Sequence, residues 1–128
     1  GVKKLIKVNV KKAKSKSQAK NIAFSVSNSP LVKTAIAGED PNWGRIVMAI
    51  GKAKENILQN KINIKFGNLL LAKKGEKNRA VNLSKVDHYM KKNIIEVEVN
   101  LNLGIHSSIV YGNDLNNEYI KINADYRS

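Results

Sequence analysis

Strict alternation of apolar and polar residues over positions 95–103 is the feature that most constrains the fold. Isoleucine, valine or leucine fills every odd position, and glutamate or asparagine fills every even one. Successive side chains of a β-strand point to opposite faces of a sheet, so this pattern predicts a strand with one buried face. Ile6, Val8 and Val10 alternate with polar residues in the same way. The chain is therefore expected to build a sheet with one apolar and one solvated face.

Helical spacing follows the first strand. Ser15 and Gln18 form a capping-box pattern, and apolar residues at i, i+3, i+4 and i+7 predict a helix over residues 16–28. Residues 31–37 are mostly apolar and fit either a buried strand or a short helical turn. Asp40 and Pro41 then predict the N-cap and the first residue of another helix. The apolar face of that helix comprises Trp43, Ile46, Val47 and Ile50.

Turn residues punctuate the second half of the chain. Residues 62–66 and 69–72 flank a Gly67-Asn68 turn and predict a β-hairpin, followed by a polar loop over 73–78. Ser84 predicts the N-cap of a short helix.

The last part of the chain reads as strands. After Gly104, residues 107–111 predict a partner for the strand at 95–103, and residues 120–124 predict a final strand. Strands outnumber helices and short turns often join them, which predicts an α+β class: a mixed β-sheet with helices packed on one face. The length of 128 residues predicts one domain, residues 1–128.

The charge balance is strongly basic, with 23 lysines and arginines against 10 acidic residues and a net charge of +13. Such a charge is typical of nucleic-acid binders. However, only Arg45, Arg79 and Arg127 are arginines, and the lysines are dispersed along the whole chain. Because arginine is the usual reader of phosphates and bases, a solvated lysine surface is the preferred interpretation. A basic nucleic-acid-associated domain is kept as an alternative.

Several other classes of protein are disfavoured by composition. The chain has no cysteine, which excludes a disulfide scaffold and a thiolate nucleophile and suits a reducing compartment. No apolar run is long enough to span a bilayer, and the first residues lack the apolar core of a secretory signal. The default expectation is a soluble cytoplasmic protein without membrane contact.

Few residues suggest a reactive site. His88 and His106 are far apart and neither has a carboxylate at ligand spacing, so no metal site is predicted. Arg45, beside Trp43 at a helix start, has two interpretations. It is either a packing anchor with a satisfied guanidinium, which is preferred, or a group that binds a substrate carboxylate by a bidentate pair.

Two segments resemble a known enzyme family. The first is residues 29–50, Ser-Pro-Leu-Val-Lys-Thr-Ala-Ile-Ala-Gly-Glu-Asp-Pro-Asn-Trp-Gly-Arg-Ile-Val-Met-Ala-Ile, and the second is the last six residues, Asn-Ala-Asp-Tyr-Arg-Ser. Together they closely resemble the ornithine acetyltransferase (glutamate N-acetyltransferase) family of arginine biosynthesis. The resemblance covers all 128 residues and is to the C-terminal part of the β chain of these enzymes.

The resemblance implies a self-cleaving enzyme with an N-terminal threonine nucleophile. In the family, a precursor cuts itself into an α and a β chain, and the new terminal threonine carries its own base in its α-amine. This threonine takes an acetyl group from N2-acetylornithine and passes it to glutamate, and an oxyanion hole in the α chain stabilises the intermediate. Some members also use acetyl-CoA. The nucleophile and the oxyanion hole would both lie outside this chain, so no catalytic residue is assigned within it.

Two family substrate contacts map onto this sequence, at Asn123 and at Ser128, where many relatives carry threonine. No cofactor is expected. The implied partners are the α chain and the rest of the β chain, assembled as a heterotetramer of two α and two β chains. A non-catalytic binding module of the same fold is the other alternative.

Overall fold

The structure, a computed structural model, describes residues 4–113 and 121–122. In that part of the chain seven strands form one sheet: β1 (Leu5–Ala13), β2 (Asn63–Phe66), β3 (Leu69–Lys73), β4 (Glu76–Lys77), β5 (Ile94–Asn100), β6 (His106–Asn113) and β7 (Lys121–Ile122). The helices are α1 (Lys16–Asn28), α2 (Pro30–Ala37), α3 (Trp43–Lys52) and α4 (Leu83–Met90), with a 3-10 turn at Gln59–Lys61. The predicted α+β class with a mixed sheet is confirmed.

The strand order is β4-β3-β2-β5-β1-β6-β7, which places β1 near the middle of the sheet. It runs parallel to β5 and antiparallel to β6. The expectation that residues 107–111 pair with the strand at 95–103 is therefore wrong, since β1 lies between them. The reason is that β5 ends at Asn100, and the N–H groups of Leu101 and Leu103 donate to Lys11 and Lys12 carbonyl oxygens. These bonds carry the chain across the end of β1.

The helices lie on one face of the sheet, as the alternation predicts. In register across β1 and β5, Ile6 faces Ile95, Val8 faces Val97, and Val10 faces Val99, and all six are fully buried. Each of the four α-helices of the described residues contributes buried side chains to the same core. The side chains at the intervening strand positions point away from the helices, and we call this side the open face. Its members on β1 and β5 include Lys7, Asn9, Lys11, Glu96 and Glu98.

The predicted N-cap residue is confirmed for one helix, whereas two other helices are capped by a different residue than predicted. Ser15 caps α1, with its Oγ accepting from the Gln18 N–H at 3.0 Å. Asp40 was predicted as the N-cap of α3, and this prediction is wrong. Its N–H donates to the Ala35 carbonyl, so Asp40 belongs to the end of α2. Asn42 caps α3 instead. Likewise Asn82, rather than Ser84, caps α4 through a bond from the Lys85 N–H at 3.1 Å.

The structure also shows the conformation of the segments that the sequence left ambiguous or assigned to turns and loops. Residues 31–37 form a helix, which begins after Ser29 and has Pro30 in its first turn. The predicted hairpin of β2 and β3 is confirmed, whereas the predicted polar loop over 73–78 contains the short edge strand β4.

The hairpin turn is packed closely against α4. Gly67 has a φ of +61°, and a Cβ there would lie 2.7 Å from the Tyr89 ring. The Tyr89 hydroxyl accepts from the Glu96 N–H at 2.8 Å, so α4 is fixed to β5 by a side-chain bond as well as by packing.

Candidate functional site

The α2–α3 segment contains Trp43 and Arg45, which were singled out from the sequence. Ser29 starts α2, with its Oγ accepting from the Val32 N–H at 3.3 Å. The turn to α3 uses Glu39 at a φ of +59°, and the Asn42 amide donates to an Asp40 carboxylate oxygen at 3.2 Å. Asn42 Oδ1 then accepts from the Arg45 N–H at 3.1 Å. The Gly-Glu-Asp-Pro-Asn run is therefore built to join two helices, with the Asp40 carboxylate used within the turn and the Glu39 carboxylate paired with Lys91 at 3.7 Å.

Arg45 ties the starts of the two helices together. Its Nη1 donates to the Leu31 carbonyl oxygen at 3.0 Å, and the side chain is half-buried. A guanidinium has five N–H donors, so one bond to a carbonyl leaves most of the fork available to an anion. The bond agrees with the anchoring interpretation, and substrate binding by Arg45 stays a prediction. Trp43, two residues earlier, packs against the core from the same helix.

Lys33 was not singled out from the sequence, yet it is the buried cation of this region. It lies on α2 between Val32 and Thr34, with 4 % of its surface exposed. Burial lowers the pKa of its ammonium, because desolvation disfavours the charged form. The available signal was a lysine inside the otherwise apolar run of residues 31–37, which is a place where a solvated lysine is unexpected.

A surface cleft of about 470 Å³ lies beside these helices. It is formed where the second half of α1, the start of α2 and the end of α3 meet. Its walls combine apolar groups with amides, hydroxyls and one cation, and they comprise Asn21, Phe24, Ser25, Asn28, Ser29, Pro30, Lys52 and Ala53. Ser25 is committed to the fold, because its Oγ donates to the Ala49 carbonyl at 2.6 Å. The cleft therefore offers an apolar wall with Lys52 at its rim.

The two residues assigned to substrate binding, Asn123 and Ser128, lie outside the described residues. Immediately before Asn123, the backbone of Lys121–Ile122 pairs with Val110 and Tyr111 of β6. Both assignments stay predictions.

The remaining candidate sites add little. His88 lies on the exposed side of α4 and His106 starts β6. Over residues 4–113 and 121–122, no three histidine, cysteine or acidic side chains are grouped so that they could hold a metal ion. Nor does that part of the chain include a helix long and apolar enough to cross a membrane.

Comparison with known proteins gives one consistent result. The sequence model of the ArgJ family matches residues 1–128. The chain is 46 % identical to the arginine biosynthesis bifunctional protein ArgJ of Brucella melitensis and 44 % identical to that of Caulobacter vibrioides, each over 128 residues and 100 % of this chain. It spans 31 % of the first relative and 32 % of the second, about a third of their length.

A solved structure agrees with the sequence comparison. The crystal structure of the arginine biosynthesis bifunctional protein ArgJ from Bacillus halodurans is similar with a TM-score of 0.84 and 33 % sequence identity. The similarity covers 98 % of this chain and 56 % of that chain. The similarity in fold thus extends over nearly all of the sequence.

Proposed function

The chain belongs to the ArgJ family, and from this premise we propose that it is part of a glutamate N-acetyltransferase of arginine biosynthesis. The complete enzyme would move an acetyl group from N2-acetylornithine to glutamate. The family match over all 128 residues is the observation that carries the proposal. Use of acetyl-CoA as a second acetyl donor belongs to the same proposal.

The proposed reaction proceeds by two acyl transfers. A threonine hydroxyl, outside this chain, attacks the acetamide carbonyl of N2-acetylornithine while the α-amine of the same threonine takes the proton. Ornithine leaves with a proton on its nitrogen, and an acetyl ester remains on the threonine. The amine of glutamate then attacks this ester, which restores the hydroxyl and releases N-acetylglutamate. Donors of an oxyanion hole on the α chain would stabilise the two tetrahedral intermediates.

Within this scheme the chain would bind and orient substrate. The Asn123 amide offers both donors and acceptors to an acetamide or carboxylate, and Ser128 offers a hydroxyl. Arg45 could pair with a substrate carboxylate through the N–H groups that the Leu31 carbonyl does not use. The partners would be the α chain and the rest of the β chain, in a cytoplasmic heterotetramer of two α and two β chains formed after autocatalytic cleavage.

Steady-state kinetics of the complete enzyme test the assignment of Asn123. We expect Asn123→Ala to lower kcat/KM by roughly ten- to a hundredfold, the loss of about one or two hydrogen bonds to substrate. Deleting Ser128, or extending the chain with a C-terminal tag, should have a similar effect. Asn68→Ala is the matched control, because Asn68 is exposed in the hairpin turn. Unchanged kinetics in all three tail variants would remove the tail from the site.

The 128-residue chain by itself is expected to be inactive, because the proposed nucleophile and oxyanion hole are outside it. The measurement is acetyl transfer from N2-acetylornithine to glutamate by the purified chain. Measurable turnover would refute the proposed division of labour. Titration with labelled single-stranded and duplex nucleic acid at several salt concentrations tests the alternative, which tight, steeply salt-dependent binding would favour.

A further inference from the structure

The outer side of α2 and α3 presents a continuous surface, which we call the α2–α3 surface. It comprises the half-buried Arg45 and the exposed residues Pro30, Leu31, Met48 and Lys52. Arg45, Met48 and Lys52 lie at i, i+3 and i+7 of α3 and so share one helix face. The bond from Arg45 to the Leu31 carbonyl joins this face to α2, and Lys52 and Pro30 line the same cleft. These contacts make the five residues neighbours.

The α2–α3 surface exposes two large apolar side chains to solvent. Leu31 is 43 % exposed and Met48 is 55 % exposed. The adjoining cleft of about 470 Å³ adds Phe24, Pro30 and Ala53 as apolar wall, and it is large enough for a side chain of leucine or phenylalanine size. A contiguous apolar patch beside a cleft is a mark of an interaction site.

The cations at the rim of this surface are Arg45 and Lys52, and the Glu55 carboxylate beside the cleft is occupied by the Asn21 amide at 2.8 Å. Among the described residues, the ion pairs Lys11–Glu98 and Lys91–Glu39 involve neither of these two cations. A symmetric contact between two copies through this surface would place cations against cations, which opposes self-association. A segment with carboxylates beside an apolar anchor complements the surface in both respects.

We propose that the α2–α3 surface docks an acidic segment of the same enzyme, from outside residues 1–128, that inserts an apolar side chain into the cleft. This inference rests on the proposed function only in taking the chain as part of a longer enzyme. Much polypeptide is available for the contact, since the chain covers 31 % of the Brucella relative and 56 % of the solved Bacillus chain. A carboxylate of that segment pairs with Lys52, which lines the cleft.

The two methionines of the chain give a direct test in the complete protein. Met48 belongs to the surface, whereas Met90 is 0 % exposed in the core. The native protein is treated briefly with hydrogen peroxide, and the sulfoxide at each position is measured by peptide mass spectrometry, with the urea-unfolded protein as the reference. We expect Met48 to be oxidised at least about tenfold more slowly in the native than in the unfolded protein. Oxidation of native Met48 within about threefold of the unfolded rate, with Met90 protected, would overturn the proposal.

Charge reversal tests the chemistry of the docked segment. Lys52→Glu should raise the oxidation rate of native Met48 about tenfold, because the new carboxylate repels the carboxylate of the docked segment. Lys85→Glu, an exposed lysine on α4, is the matched control and should change nothing. Protection of Met48 that survives Lys52→Glu would refute an acidic occupant. Protection that disappears on dilution would instead assign the surface to a second copy and overturn the proposal.

Acetyl transfer measured on the same samples separates this inference from the proposed function. A protein that protects Met48 but transfers no acetyl group would refute the function and support the docking. An active enzyme in which Met48 is freely oxidised would support the function and refute the docking.

Discussion

The two faces of the sheet are built from the same strands but are held in different ways. On the covered face, Ile6, Val8 and Val10 of β1 are all 0 % exposed and meet equally buried partners on β5. On the open face of the same strand, Lys11 bonds Glu98 at 3.1 Å with side-chain exposures of 46 % and 16 %. Exposed ion pairs contribute little free energy, whereas buried aliphatic side chains contribute about 1.5–3 kcal/mol each. The covered face therefore supplies most of the free energy that stabilises the sheet.

The bonds of the open face show which face sets the register. The strand pairing places Asn9 opposite Glu98 and Lys11 opposite Asn100. The observed bonds are nevertheless diagonal, since the Asn9 amide donates to Glu96 at 3.4 Å and Lys11 bonds Glu98. Long polar side chains reach such diagonal neighbours, so they adapt to a register rather than impose one. The apolar face fixes the pairing, because a slip of one residue would turn its side chains outward.

The largest expected effect is the loss of a covered-face aromatic. Phe66 is 1 % exposed on β2 and belongs to the core. We expect Phe66→Ala to lower the free energy of unfolding by about 3–5 kcal/mol, measured by urea denaturation. The neighbouring Lys65 points to the open face, and Lys65→Ala should cost under about 1 kcal/mol. Equal losses in the two variants would contradict the division between faces.

A smaller effect is expected where a helix side chain bonds the sheet backbone. Tyr89→Phe removes the hydroxyl that accepts from the Glu96 N–H and leaves that donor without a partner. The expected cost is about 1–3 kcal/mol at neutral pH. Tyr111→Phe, on the half-exposed side of β6, is a suitable control. A Tyr89→Phe protein as stable as wild type would mean that water replaces the bond.

The same tyrosine predicts a pH dependence. Desolvation by burial raises the pKa of Tyr89 above its ordinary value of 10.0. The folded protein therefore keeps the phenol proton where the unfolded chain has lost it, and stability falls as the pH rises from 10.0 through the raised pKa. We expect the stability gap between wild type and Tyr89→Phe to narrow above pH 10.0, because other groups titrate alike in both proteins. A constant gap would contradict the raised pKa.

The smallest effect belongs to the open-face ion pair. Lys11→Ala should change the free energy of unfolding by about 0.2–1 kcal/mol, with less effect at high salt, because half of the lysine is in water. The adjacent Val10→Ala, on the covered face, should cost more. Chemical denaturation at low and high salt measures both, and a larger loss for Lys11→Ala would reverse the comparison.

Periodicity predicted the parts of the fold in which one face is buried. The alternation at positions 6–10 and 95–103 located β1 and most of β5, and the spacing of apolar residues located α1. It could not predict that β1 lies between β5 and β6, because side-chain alternation states which face is buried and not which strand is the neighbour. The hydrogen bonds that carry the chain from β5 across the end of β1 come from the backbone N–H groups of Leu101 and Leu103.

Local chemistry was less predictive where several capping residues occur together. Asp40 and Asn42 are both good N-caps, and the choice depends on where α2 ends. The Asp40 N–H is used by that ending, which leaves Asn42 to start α3. Asn82 and Ser84 are likewise both good N-caps, and Asn82 is the one that starts α4. Of the candidate site, Arg45 was singled out from its place beside Trp43, its bond to the Leu31 carbonyl agrees with the anchoring interpretation, and its role stays a prediction. The burial of Lys33 was not, since sequence alone does not say which side of α2 faces the core.

The place of β1 in the strand order has a consequence for how the protein is made. This strand is synthesised early, yet its two neighbours begin at Ile94 and His106, far along the chain. A nascent polypeptide therefore carries an apolar strand with both edges unpaired until most of the domain has left the ribosome. Such high contact order slows folding and prolongs exposure to aggregation. Folding of this domain should accordingly be post-translational and should benefit from chaperones that shield β1.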